Sequence, residues 1–166
     1  MAVQVIFTTL RIILGAVFLF AGVLKIWDFP QHKWATPAFY EDISNYHLDE
    51  TAPVKFAMAH IPAIKPATLS DGAMLLAVYL PWLEVILGAA LLLGRAIAGA
   101  GAIASLLMCV FIAALASAWL RNLDITCGCF GHENATENFP LLLARDCALL
   151  LAALATTRRG ARQARR

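Results

Sequence analysis

The sequence predicts an all-α membrane protein: a four-helix transmembrane bundle with a short amphipathic outer helix between spans one and two. Three observations carry that prediction. The 166 residues are 61% hydrophobic and 14% charged, whereas soluble domains run near half apolar and a quarter charged. The excess is gathered into long blocks at 3–27, 72–94, 96–120 and 139–157, each close to the roughly 20 residues that a helix needs to cross a ~30 Å hydrocarbon core. The arginines are asymmetric: Arg158, Arg159, Arg162, Arg165 and Arg166 crowd the segment 158–166, and Arg95 lies in the turn between the second and third blocks. Such Lys/Arg enrichment marks cytoplasmic segments.

Taken in order, the first block opens without a basic segment, is longer than a secretory h-region and has no clear small-residue cleavage site after it, so it reads as a retained span. It ends in "KIWDFP", where Trp27 suits an interface and Pro30 stops the helix. In "TPAFYEDISNYHL" the apolar Phe39, Ile43, Tyr46 and Leu48 fall near helical spacing, which predicts a short helix on the outer surface. Pro53, Pro62 and Pro66 break the stretch that follows, leaving Val54–Ile61 room for a turn or two of helix. Ser70 and Asp71 are expected to cap the second span. Inside that span Pro81 cannot donate to its ladder and predicts a kink, which neighbouring helices can compensate. Gly88, Gly94, Gly99 and Gly101, with many alanines, predict close approach of spans two and three.

One membrane domain, 1–166, is thus expected, with outer loops 28–71 and 121–138 and a basic cytoplasmic tail 158–166. Both ends then lie in the cytoplasm of a bacterial inner membrane, and both outer loops face the periplasm. The net charge of +2 comes from the basic tail, which reads as a topology anchor at anionic head groups rather than a nucleic-acid contact. The lipid bilayer is the partner that composition implies. Glycine fingerprints for nucleotides, zinc-protease helices and internal repeats are absent from the sequence.

Charged residues inside apolar spans are expensive and usually have partners. Arg11, Glu84, Arg145 and Asp146 lie within the blocks, and Lys25 near the outer end of the first. At 1.5 Å per residue, Arg11 and Glu84 lie roughly 12 Å and 15 Å from the inner ends of their spans. That arithmetic predicts an Arg11–Glu84 pair, with Lys25 meeting Asp146 near the outer side. Such pairs either fix helix register or form a proton or quinone site, for which Glu84, beside a proline, is the first candidate.

Four cysteines are present. Cys109 and Cys147 sit in spans at different depths, which argues against a bridge between them and for packing. Cys127 and Cys129 occupy an outward loop where disulfides persist. Bridging residues two apart needs an unusual turn, which Gly128 permits, and a strained, exposed bridge is a labile one. A nearby cation, Lys25 or Arg121, would favour the attacking thiolate. The competing reading is a soft-metal site for Cu(I) formed by Cys127, Cys129 and His132.

The stretches "RIILGAVFLFAGVLKIWD", "DISNYHL", "LPWLEVILGAALLLGR", "LDITCGCFG" and "LLARDCALLLAAL" resemble the MauE/DoxX family of redox-associated membrane proteins, the MauE branch more closely. The resemblance implies a four-helix bundle with Cys127 and Cys129 as the redox pair, Glu84 as the in-span acid, and Lys25, Arg145 and Asp146 as supporting charges. MauE proteins are associated with maturation of disulfide-rich periplasmic methylamine dehydrogenase subunits. Wider relatives accompany thioredoxin-like proteins, and DoxX relatives are linked to quinone-dependent thiol or sulfur oxidation. The resulting expectation is a membrane thiol–disulfide redox protein, a candidate oxidoreductase passing electrons to or from a membrane quinone or another redox protein. Its partner would be a periplasmic thioredoxin-like or disulfide-rich protein, or a larger membrane redox complex. The alternative is a non-enzymatic membrane subunit, assembly factor or copper-handling module in which the cysteine pair is a staple or a metal ligand.

Overall fold

A computed structural model describes residues 2–28, 33–45, 66–121 and 139–164. Helix α1 runs Ala2–Ile26, α2 Thr36–Asn45, α3 Pro66–Leu93, α4 Ile97–Leu120 and α5 Phe139–Ala164. Between α1 and α2, Trp27–Asp28 (β1) pairs antiparallel with Lys33–Trp34 (β2), Trp27 opposite Trp34. Four helices are long and apolar enough to cross a bilayer, with spans at Gln4–Ile26, Gly72–Leu93, Ile97–Leu120 and Pro140–Gln163. The protein is an all-α membrane bundle. Its surface fits that solvent, since Ile13, Phe20, Tyr79, Ile86, Leu106 and Leu151 all point outward where a soluble bundle would carry charge.

The β1–β2 pair turns the chain back over the end of α1. Ala35 N–H donates to the Ile26 carbonyl at 3.1 Å, and the Trp27 and Trp34 rings meet edge-to-face at 5.6 Å. That return delivers the predicted outer helix as α2, which packs chiefly on α3. Phe39 is its buried residue and Ile43 is half-buried; Tyr46, Leu48 and the expected helix at 54–61 lie outside the described residues.

Two boundaries differ from expectation. Helix α3 begins at Pro66, so Ser70 and Asp71 lie within it and do not cap it; proline suits a first helical turn, where its missing N–H has no partner to lose. Helix α5 carries on through Arg158, Arg159 and Arg162 to Ala164, because arginine is a good helix former and this stretch still has neighbours to pack on. Helix α3 continues through Pro81.

The pairing of helices also differs. Instead of spans two and three, the intimate pairs are α1 with α3 and α4 with α5, while α3 and α4 touch only slightly. The glycines explain it. A Cβ on Gly22 would stand 2.7 Å from the Pro81 carbonyl oxygen, and one on Gly88 would stand 2.5 Å from Leu19 N, so both close the α1–α3 contact. Gly101 against Thr157 and Gly160 against Ala98 do the same between α4 and α5. Gly99 faces open space. Gly94 instead shapes the α3–α4 turn. At φ 69°, with its N–H on the Leu91 carbonyl (3.2 Å) and Arg95 N–H on the Ala90 carbonyl (3.0 Å), it closes a Schellman motif.

Packing without room for a methyl group predicts a contrast within one helix class. Gly88→Ala should destabilise the detergent-solubilised protein by about 1–3 kcal/mol through overpacking. Gly99→Ala should be neutral or stabilising by up to ~1 kcal/mol through helix propensity. Thermal unfolding of the two variants checks this, and equal effects would refute the assigned α1–α3 interface.

Candidate functional site

All five helices converge on one buried charge cluster at the end of the bundle where α1 finishes and α5 starts. Lys25 comes from the last turn of α1, Glu84 from α3, and Arg145 and Asp146 from the second and third turns of α5. Gly22 and Pro81, whose backbones nearly touch, lie three residues before Lys25 and Glu84. Because the two helices run antiparallel, Lys25 and Glu84 lie one turn to either side of that contact, and their side chains meet across it.

The Lys25 ammonium donates to both carboxylate oxygens of Glu84, at 2.6 Å and 2.7 Å. Lys25 is 4% exposed and Glu84 1%. Taking two such ions out of water costs several kcal/mol each unless geometry and further contacts compensate. Two aromatic faces contribute here: Phe39 of α2 at 5.2 Å and Phe111 of α4 at 5.3 Å from the ammonium. A desolvated cation over a ring gains about 2 kcal/mol. Beside this pair, buried Asp146 accepts from Arg145 Nε at 3.0 Å, and Arg145 remains 28% exposed. No buried side-chain nitrogen or oxygen among the described residues lacks a partner.

The four charges surround a cavity of about 30 Å³ whose apolar walls include Val17, Phe18, Met108, Phe111 and Leu149. A water needs ≳10–15 Å³ of such space, whereas small-molecule sites run from about 300 Å³. The cavity fits one or two waters between ionisable groups. It does not fit the quinone that the resemblance implies.

The predicted Arg11–Glu84 and Lys25–Asp146 pairs are replaced by Lys25–Glu84 and Arg145–Asp146. The cause is axial offset. Gly15 faces Gly88 and Gly22 faces Pro81, so Arg11 falls level with Gly94, beyond the last turn of α3. Helix α1 starts nine residues before Arg11, about 13 Å further along the axis. Depths counted from a common starting plane misplace it by that amount.

Lys25 is committed to Glu84, and Arg121 Nε donates to the Ser117 carbonyl at the end of α4 (3.2 Å). Cys127, Cys129 and His132 lie outside the described residues, in the segment joining α4 to α5. Cys109 and Cys147 are free thiols, both exposed on the bundle surface rather than packed. Among the described residues no three His, Cys, Asp or Glu side chains gather as a metal site. Phe39 and Phe111 were legible only as apolar positions; their role against Lys25 depends on how α2 and α4 pack on α1, which hydropathy does not register.

A family model described as methylamine utilisation protein MauE matches residues 3–158. No curated protein and no solved structure gave a match.

Removing one partner of the buried pair strands the other. Lys25→Met or Glu84→Leu alone should each destabilise the bundle by about 3–5 kcal/mol. The double variant Lys25→Met/Glu84→Leu should recover much of that loss. A double-mutant cycle on thermal unfolding measures the coupling; additive losses would mean the two groups do not interact.

Proposed function

Because the chain belongs to the MauE family, we propose that it is a membrane protein of a methylamine utilisation system whose Cys127–Cys129 couple exchanges electrons with a periplasmic thiol/disulfide partner. The observation that carries the reading is the placement of buried acid, base and water-sized space at one end of the bundle. Asp146 lies seven residues inside the start of α5, about 10 Å along the helix from where the Cys-Gly-Cys segment joins it. The basic residues support the orientation. Arg95, Arg158, Arg159 and Arg162 all belong to the opposite end, which the positive-inside rule assigns to the cytoplasm. The cysteine segment then faces the oxidising side of a bacterial inner membrane.

The exchange balances as follows. A thiolate of the reduced partner attacks one sulfur of the Cys127–Cys129 bridge, forming a mixed disulfide and releasing the other cysteine as thiolate. A second partner thiolate resolves the mixed disulfide. The partner is oxidised to its disulfide, and Cys127 and Cys129 carry away two electrons and, as thiols, two protons. The bridge is restored by the reverse exchange with a second, more oxidising disulfide. Glu84 and Lys25, with a water-sized space between them and the Arg145–Asp146 pair, are the groups suited to hold or pass a proton near that couple.

The complete partnering of the buried charges favours a second reading. In it the ion pairs only fix helix register, and the protein is an assembly factor whose cysteine bridge is a staple or copper ligand.

Thiol trapping of Cys127 and Cys129 in intact membranes, across defined dithiol/disulfide buffers with metals chelated, distinguishes the readings. The redox reading expects a reversible two-electron transition near or above about −200 mV, and Cys127→Ser should abolish partner oxidation. A bridge closed far below that potential, or thiols that react only after copper is removed, would leave the second reading standing instead.

A further inference from the structure

At the basic end, α1 and α5 run past the α3–α4 turn and face each other across a groove. Gln4, Phe7, Thr8 and Arg11 form one side, Thr156, Arg159, Gly160 and Gln163 the other, and Ile97 closes the bottom. Both sets follow the i, i+3, i+4, i+7 spacing of a single helix face. In a membrane bundle that face would ordinarily be apolar or small; here three of the four residues on each helix are polar. A second hollow, sharing Arg159 and adding Arg158 and Arg162, continues it outward. The two measure about 200 Å³ and about 450 Å³.

Four guanidinium groups, of Arg11, Arg158, Arg159 and Arg162, line these hollows, and no carboxylate among the described residues does. Arg159 is held in place by two contacts: Nη2 donates to Gln4 Oε1 at 2.9 Å, and the guanidinium lies over the Phe7 ring at 4.5 Å. A fixed, planar donor among converging like charges is the arrangement that receives a phosphate. The depth selects the source of that phosphate. Gln4 and Gln163 are the first and last residues of their apolar spans, so the groove opens at head-group level. One turn deeper than Ala155, Leu151 is exposed on the same side of α5 and offers a track for an acyl chain.

We propose that this groove is a binding site for the phosphate of an anionic phospholipid, held by Arg11 and Arg159 and approached through Arg158 and Arg162. The site is separate from the Lys25–Glu84 cluster and does not rest on the redox reading.

The test uses the purified full-length protein in neutral detergent, titrated with dioleoylphosphatidylglycerol or dioleoylphosphatidylcholine while thermal unfolding is followed. Phosphatidylglycerol should bind at least about tenfold more tightly than the zwitterionic lipid, since each arginine near an anionic head group adds about fivefold. Arg11→Gln/Arg159→Gln should lose most of that preference. If that variant does not fold, Arg158→Gln/Arg162→Gln serves in its place. Arg95→Gln removes a charge from the same end without touching the groove and should keep the preference. Equal binding of the two lipids would overturn the proposal, as would an equal loss in Arg95→Gln, which would indicate diffuse attraction. Stabilisation by inorganic phosphate alone, with nothing added by phosphatidylglycerol, would overturn the lipid assignment.

Discussion

An ammonium and a carboxylate 2.6 Å apart, enclosed by apolar helices, impose a condition on everything around them. In hydrocarbon neither charge tolerates separation, so the backbones that carry them have to be held at a fixed spacing. The Gly22–Pro81 contact supplies that spacing one turn away. Phe39 and Phe111 then close the space above and beside the ammonium, which ties α2 and α4 to a pair belonging to α1 and α3. The short β1–β2 return can be understood in the same terms: it brings the chain back far enough for Phe39 to reach Lys25.

Around that condition the bundle is built as two antiparallel pairs, each sealed by glycine on one helix against backbone or threonine on the other. Lipid tails are as apolar as leucine, so burial of apolar area does little to bring spans together; close van der Waals approach does more. The distribution of glycine, rather than the distribution of leucine, accordingly decides which helices are partners.

Much of the fold was legible from composition. Four blocks near 20 residues and the apolar spacing of Phe39 and Ile43 each correspond to an observed helix. The site was legible in its membership, since Lys25, Glu84, Arg145 and Asp146 do gather, but its pairings were not. Hydropathy measures how apolar a segment is and says nothing of its axial offset from a neighbour, and the two-turn overhang of α1 is such an offset. The same blindness made Gly88 and Gly101 look like one interface when they serve two. Arg11 looked level with Glu84 for the same reason, although it lies level with the α3–α4 turn. The chemistry assigned to Cys127 and Cys129 rests on residue type, spacing and family membership.

The slight contact between α3 and α4 has a mechanical meaning. The two helix pairs meet along a seam, and the charge cluster straddles it: Lys25 and Glu84 belong to one half, Phe111, Arg145 and Asp146 to the other. A small rotation of the halves about the three-residue hinge at Gly94–Ala96 would leave both glycine-sealed interfaces intact. It would widen the gap in which the water-sized cavity lies. The hydration of the ion pair is therefore the property most sensitive to any force that spreads the bundle, whether from a docked protein or from a change in bilayer thickness.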